Sequence, residues 1–361
     1  MASMKFPTVD TRRAARAIGR LPCIVQFAAP TAERHLEFLE RIERILSRGR
    51  FTTTYKFALL LALTNIAVEQ GTDGNDPLEV DLDDVARQFL ALYWNMARPY
   101  PRVHEILKQS TNERKPSTMI SLLESASSNA ASSYRRLRIF TQRRDALVIQ
   151  ARRTLAKDVL YRLQSVAGNA KSATEDERFL YGHPPDAAGC AKLRAITLKP
   201  GIAACMRRLR GVIVAMVQAR WALWIREHNA QLAADHKLES FLFGAERTDV
   251  SEYAARYYEL QNGRCFYTRD RLAAPSAGDV DHFIPWARYP FDSPFNLVLA
   301  SRKVNNQFRD RLKSREDRAL WAQRNEDSFA ILTSTARSGF AAAPEDRETV
   351  RMIANWVYRA G

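Results

Sequence analysis

The sequence has only four cysteines, Cys23, Cys190, Cys205 and Cys265, and no CxxC spacing among them. That removes a four-cysteine zinc site from consideration, and thiols so isolated are expected to serve as small, reduced core residues. Long apolar runs are missing as well. Phe57–Val68 is interrupted by Thr64 and Asn65, and Gly211–Ile225 contains Gln218 and Arg220. Neither gives the roughly 20 apolar residues that span a bilayer. Arg12, Arg13, Arg16 and Arg20 precede only the short stretch Leu21–Pro30, with Asp10 close by and no continuous apolar region of the signal-peptide kind. A cytoplasmic chain with no membrane partner is expected. A Gly-rich phosphate loop, an HExxH helix, a Ser-His-Asp arrangement and internal repeats are all lacking, which excludes the common nucleotide-binding, metalloprotease and serine-hydrolase chemistries.

Positive charge is what the chain has in excess. Fifty-five Lys and Arg stand against forty Asp and Glu, a net charge of +15. Such an imbalance favours polyanions and puts nucleic acid first among partners. With 46% hydrophobic and 26% charged residues, the composition is that of a soluble globular protein, and 361 residues suffice for two or three compact units.

The N-terminal part reads as helical. Leu36, Leu39, Ile42, Ile45 and Leu46 recur at helical spacing, and the next stretch, Thr52–Gln70, is apolar nearly all round, which predicts a central core helix. Leu82, Val85, Phe89 and Leu92 mark a third helix, and a fourth is expected over Val103–Glu124, broken at Pro116. The Ser/Ala/Asn-rich patch Ser125–Ser133 reads as a linker, so the N-terminal helical region is placed at 1–130. A basic helical middle region follows at 131–245. In it Arg135, Arg136, Arg138, Arg143, Arg144, Arg152 and Arg153 form either a phosphate-contact surface or a solvated face. A short strand is expected at Ala195–Leu198, then one long helix over about Gly201–Leu232 whose Trp221, Trp224 and Met206 face a core.

The chemistry is concentrated in the third region, 246–361. Asp279 to Asp310 reads DVDHFIPWARYPFDSPFNLVLASRKVNNQFRD, a strand, loop, strand and helix pattern. An imidazole can accept a proton from water near neutral pH, which suits His282 to a general base. Asp281 suits an oxygen ligand for a hard cation. Neighbours on a strand point to opposite faces, so these two divide the labour.

His282 is followed fourteen residues later by Asn296 and nine further on by Asn305. With DVDHFIPW, NLVLA and NNQFRD, this order resembles the ββα-metal site of HNH endonucleases over about Leu260–Leu312. The resemblance implies a mainly α chain with a C-terminal ββα nuclease unit flanked by helices. It implies hydrolysis of DNA phosphodiesters with one divalent ion, Mg²⁺ first, held by Asp281 and Asn305, leaving 5′-phosphate and 3′-hydroxyl ends. Asn306 competes with Asn305 as ligand. The catalytic set is then His282, Asp281, Asn296 and Asn305, with Asn296 a hydrogen-bonding residue that fixes the loop.

Arg302, Lys303, Arg309, Arg311 and Lys313 are candidates for DNA phosphates or plain helix-surface charges, while Asp279 and Asp310 cap or pair with arginines. Where many of these proteins carry a zinc-binding CxxC and a further cysteine, this chain has Cys265, Thr268 and Val304. No structural zinc is expected, and packing by Phe266, Tyr267 and Trp286 takes its place. RNA as the polymer, and a non-cleaving nucleic-acid-binding or adaptor subunit that keeps the ββα shape, stay open. The helical stretch TTYKFALLLALTNIAVEQG with its LYW segment loosely resembles bacterial HNH proteins linked to phage defence. A free nuclease harms its own cell, so a regulatory protein partner or trigger is expected.

Overall fold

The computed structural model describes residues 29–49, 51–112, 117–127, 141–164, 178–184, 186–232, 235, 237–244, 250–308, 311–339 and 347–359. The N-terminal arginines, Cys23, Arg135, Arg136, Arg138, Arg309 and Asp310 lie outside the described residues.

Helix α1 (Ala32–Arg48) starts at Thr31, whose hydroxyl accepts the Arg34 amide, and it buries Phe38, Ile42, Ile45 and Leu46. Leu36, expected on that apolar face, is instead 62% exposed, because the buried stripe runs through Phe38. Helix α2 (Tyr55–Gln70) is enclosed almost all round, as its lack of a polar face requires. Strand β1 (Leu78–Asp81) leads into α3 (Leu82–Tyr93), capped by the Asp81 carboxylate on the Asp83 amide. So short a strand had no readable period.

The helix expected from Val103 begins only at α4 (Thr118–Ser127). The segment before it spends its backbone groups on neighbours: Gln109 O accepts the Thr54 amide, Thr111 N donates to Thr52 O, and Lys108 N donates to Asn229 Oδ1. Helix α5 (Thr141–Asp158) packs on α3 and buries Val148, Ala151 and Leu155, and its Arg152 pairs with Asp83 at 3.1 Å. Strand β2 (Ala195–Leu198) falls where it was expected and pairs antiparallel with β1. The long helix expected over Gly201–Leu232 is divided at Leu209 into α6 (Ile202–Arg208) and α7 (Arg210–His228), and Ala230–Leu232 is a separate 3₁₀ turn.

Most buried apolar side chains of α1 to α7 belong to one hydrophobic cluster reaching from Phe38 to Leu242. At its centre Thr54 bonds Tyr93 and Gln109, and Gln109 also accepts the Trp221 indole at 3.2 Å. Trp221 is fully buried, so the Trp/Met stripe is core.

A second cluster runs from Tyr257 to Val357. It contains α8 (Ala254–Leu260), the antiparallel hairpin β3 (Gly278–His282) and β4 (Leu297–Ser301), then α9 (Arg302–Phe308) crossing it. Three further helices follow, α10 (Arg315–Asp327), α11 (Phe329–Gly339) and α12 (Arg347–Arg359). The chain is mainly helical with a ββα unit near its end. Val68 of α2 is part of this second cluster, so the central helix of one core reaches the other. Among the described residues, no helix is long and apolar enough to cross a membrane.

Candidate active site

The hairpin is held by side chains that meet its unpaired backbone. Gln261, just after α8, donates to Leu299 O and accepts Leu299 N, both at 2.8 Å. The Asn262-Gly263 turn before it has both residues at positive φ, 54° and 67°. Arg324 of α10 donates twice to Leu297 O at 3.0 Å, and burial pushes its guanidinium down to about 10. Phe266 meets Phe283 edge-on, and Phe283 stacks on Trp321 at 4.8 Å. The packing expected in place of zinc is therefore centred on Phe266, Phe283 and Trp321, with Trp286 only half-buried. Cys265 is buried and its sulfur accepts the Ser301 amide at 3.3 Å. Burial would raise this thiol, but hydrogen bonds from Thr268, Ser301 and Tyr267 outweigh it and hold the thiol below its ordinary value.

Register pairs Asp281 with Val298 and His282 with Leu297, and strand alternation sends the two side chains to opposite faces. On one face His282 is buried at 5% exposure. Its Nε2 lies 2.7 Å from Oδ1 of Asp292, itself 6% exposed, and its ring meets Trp286 edge-on at 5.1 Å. The loop between the strands folds back to make this contact. Asn296, wholly buried, accepts the Ile284 amide at 2.7 Å and donates to Ile284 O at 3.3 Å, while Phe283 N donates to Asn296 O. Its side chain thus replaces a missing ladder rung directly after His282.

The carbonyls around Asn296 are met too: Tyr257 donates to Pro294 O at 2.7 Å, and Trp321 and Asn325 donate to Phe295 O at 2.8 and 2.9 Å.

On the other face stand Asp279 and Asp281. Asn305 of α9 donates through Nδ2 to Asp279 Oδ2 at 3.4 Å, whereas Asn306 is exposed. The hydrogen-bond partner of Asn305 is thus Asp279 rather than Asp281. Asp281 accepts the Tyr267 hydroxyl at 2.9 Å and faces Lys313 Nζ at 3.5 Å. Burial, then the Asp281 charge, pushes the Tyr267 hydroxyl well above its ordinary range, so it stays a donor.

Lys313 corrects an expectation. Read as a surface phosphate contact, its side chain is fully enclosed, with the ammonium over the Phe308 ring at 4.6 Å and the Tyr267 ring at 5.3 Å. The residue count to Lys313 could not show that its side chain is enclosed. Arg302 is exposed but tethered, donating to Ser276 O at 2.8 Å with Nε 3.5 Å from Asp279, and Lys303 is exposed.

Among the described residues, no group of three or more His, Cys, Asp or Glu gathers as a metal cluster. A site of Asp279, Asp281 and Asn305 is two carboxylates and an amide, oxygen donors that fit a hard cation better than zinc. Sequence reasoning missed Asp292, and it named Tyr267 for packing alone and missed its hydrogen bond to Asp281. The one signal for Asp292 was a carboxylate set among aromatic and proline residues in a short inter-strand loop.

No curated protein and no solved structure matches the chain. Two family models do. The model of an HNH endonuclease covers residues 265–313, from Cys265 through the hairpin and α9 to Lys313, and marks a nuclease of the HNH kind whose substrate class is nucleic acid. The other, a domain of unknown function (DUF8808), covers residues 35–242, nearly the whole of the first hydrophobic cluster. The chain accordingly belongs to the DUF8808 family, its helical domain joined to an HNH nuclease unit.

Proposed function

We propose that the chain is a divalent-metal-dependent endonuclease that hydrolyses DNA phosphodiester bonds, with His282 as general base. The observation that carries this reading is the buried His282–Asp292 hydrogen bond on one strand face, with the carboxylates of Asp279 and Asp281 on the other and Asn305 of α9 bonded to Asp279. The bond to Asp292 holds the ring through Nε2, so Nδ1 is the nitrogen that takes the proton from an attacking water. Asp281 and Asn305 would hold the cation, Mg²⁺ in the first instance, with Asp279 beside Asn305, and the bound ion would supply stabilisation of charge on the phosphoryl group and the leaving oxygen. Asn296 fixes the backbone at Ile284 and thereby the end of β3 that presents His282.

Arg302 and Lys303 at the start of α9 contact DNA phosphates; Lys313, turned inward, acts on Asp281 instead. The net charge of +15 supports a polyanionic substrate. A role in anti-phage defence rests on the loose resemblance of the N-terminal helical stretch, and control by a protein partner or trigger on the cost of an unregulated nuclease to its own cell.

Side-by-side digestion of plasmid DNA and RNA by the full chain with Mg²⁺ tests the substrate: DNA fragments with ligatable 5′-phosphate ends support the reading, and cleavage of RNA alone overturns it. Expression with and without neighbouring genes tests control; equal toxicity in both cases counts against a partner.

A further inference from the structure

The loop that carries Asp292 is also fastened to the helical DUF8808 domain. Tyr289, three residues before Asp292, is buried, and its hydroxyl donates to Glu69 Oε1 in the last turn of α2 at 2.8 Å. The same carboxylate accepts Gln88 Nε2 of α3 at 3.1 Å, and Gln88 in turn accepts the Asn65 amide at 3.2 Å. Arg210 at the start of α7 donates to Asn65 Oδ1 at 3.3 Å and lays its guanidinium 4.6 Å from the Tyr289 ring centre. Trp356 of α12 closes the fourth side, edge-on to Tyr289 at 6.1 Å, and donates its indole to Arg207 O at 2.9 Å. Tyr289 is thus held directly by two helices of the DUF8808 domain, α2 and α7, with α3 behind Glu69, and by one helix of the nuclease unit.

Only Pro290 and Phe291 separate Tyr289 from Asp292, and the Phe291 ring packs edge-on against Tyr289 at 5.6 Å. Proline fixes its own φ, and buried packing removes the slack that remains. The anchors at Pro294 and Phe295 lie on the other side of Asp292 and come from within the nuclease unit. The Asp292 carboxylate is therefore suspended between an anchor inside the nuclease unit and one in the DUF8808 domain.

We propose that Tyr289 is a positioning residue through which the DUF8808 domain controls the nuclease site: Glu69 holds Tyr289, Tyr289 sets the loop, and the loop sets Asp292 against His282. The inference rests on the reading of His282 as base. A tyrosine hydroxyl donated to a buried carboxyl oxygen is a directional contact, so a shift of α2 is passed to the loop. Misplacing a catalytic group by about 1 Å can cost about 100-fold in rate. A partner that moves α2 against the second core thereby switches the base in or out of register.

Tyr289→Phe tests this in the full chain, since it removes the hydroxyl and keeps the ring. Single-turnover DNA cleavage is expected to slow about tenfold with KM for DNA unchanged, and the loss is expected to vanish in an Asp292→Asn background, because residues acting through one another are not additive. Full additivity with Asp292→Asn, or an unchanged rate, overturns the relay. Selectively labelled histidine, with the His282 ring signal assigned by its loss in His282→Ala, separates this from the nuclease reading. If the wild-type chain cleaves nothing, that reading fails, and the His282 ring resonance still decides the relay: a shift in Tyr289→Phe upholds it, and an unchanged resonance overturns it.

Discussion

Nε2 of His282 sits 2.7 Å from Oδ1 of Asp292, ten residues on, and both side chains are buried. This contact fixes which ring nitrogen is engaged and which way the imidazole faces. Asp292→Asn keeps the shape but replaces an acceptor for an N–H with an amide that can present either group. Cleavage is expected to fall about 100-fold, the lower end of what positioned acid–base catalysis supplies. Measured kcat with an unchanged DNA affinity checks it.

Asn296 spans Ile284 with two hydrogen bonds in a fully buried site. Asn296→Ala leaves an amide and a carbonyl of the loop without partners, and at about 1–3 kcal/mol for each the loss is expected to reach about 2–6 kcal/mol. Asn296→Asp keeps the acceptor for the Ile284 amide and is expected to lose less. Denaturant unfolding of the three proteins reads the order directly.

Lys313 presents its ammonium to Asp281 at 3.5 Å from an enclosed position. A cation on Asp281 meets that charge as a competitor. In Lys313→Met, Mn²⁺ affinity measured by calorimetry without DNA is expected to rise about tenfold, a modest share of the attraction between charges at this distance. Weaker binding would mean that the lysine orders the carboxylate instead.

Glu69 links pH to stability. Burial raises its carboxyl from 4.5 to about 7, against the lowering effect of the Tyr289 and Gln88 hydrogen bonds. The folded state therefore keeps a proton that the unfolded chain gives up. The stability this contributes is fully present below about pH 4.5 and is lost as pH rises to about 7, then stays level. Glu69→Gln is expected to flatten that part of the curve in urea unfolding between pH 4.5 and 7.5. A parallel curve for the two proteins contradicts the assignment.

Much of the site is legible in the sequence because the hairpin chemistry is local. Asp281, His282, Asn296 and Asn305 are spaced by two short strands and a turn of helix, and period-2 alternation alone separates Asp281 from His282. Asp292, Tyr267 and Lys313 are not legible in the same way. Asp292 depends on how the interval from His282 to Asn296 folds back, and Tyr267 and Lys313 reach Asp281 from segments outside the hairpin; none of these placements has a period. The fold shows the same division. Helix α2 follows from its apolar composition, whereas the irregular segment before α4 is decided by distant partners in Thr52, Thr54 and Asn229. The tie between Glu69 and Tyr289, 220 residues apart, has no trace in local pattern.

The most direct test of the account is cleavage of plasmid DNA by the purified chain with Mg²⁺, with EDTA, and with His282→Ala in place of the native chain. Metal-dependent cutting that EDTA abolishes and that falls by at least about 100-fold in His282→Ala is the expected result. Metal-dependent cutting that persists undiminished in His282→Ala contradicts it.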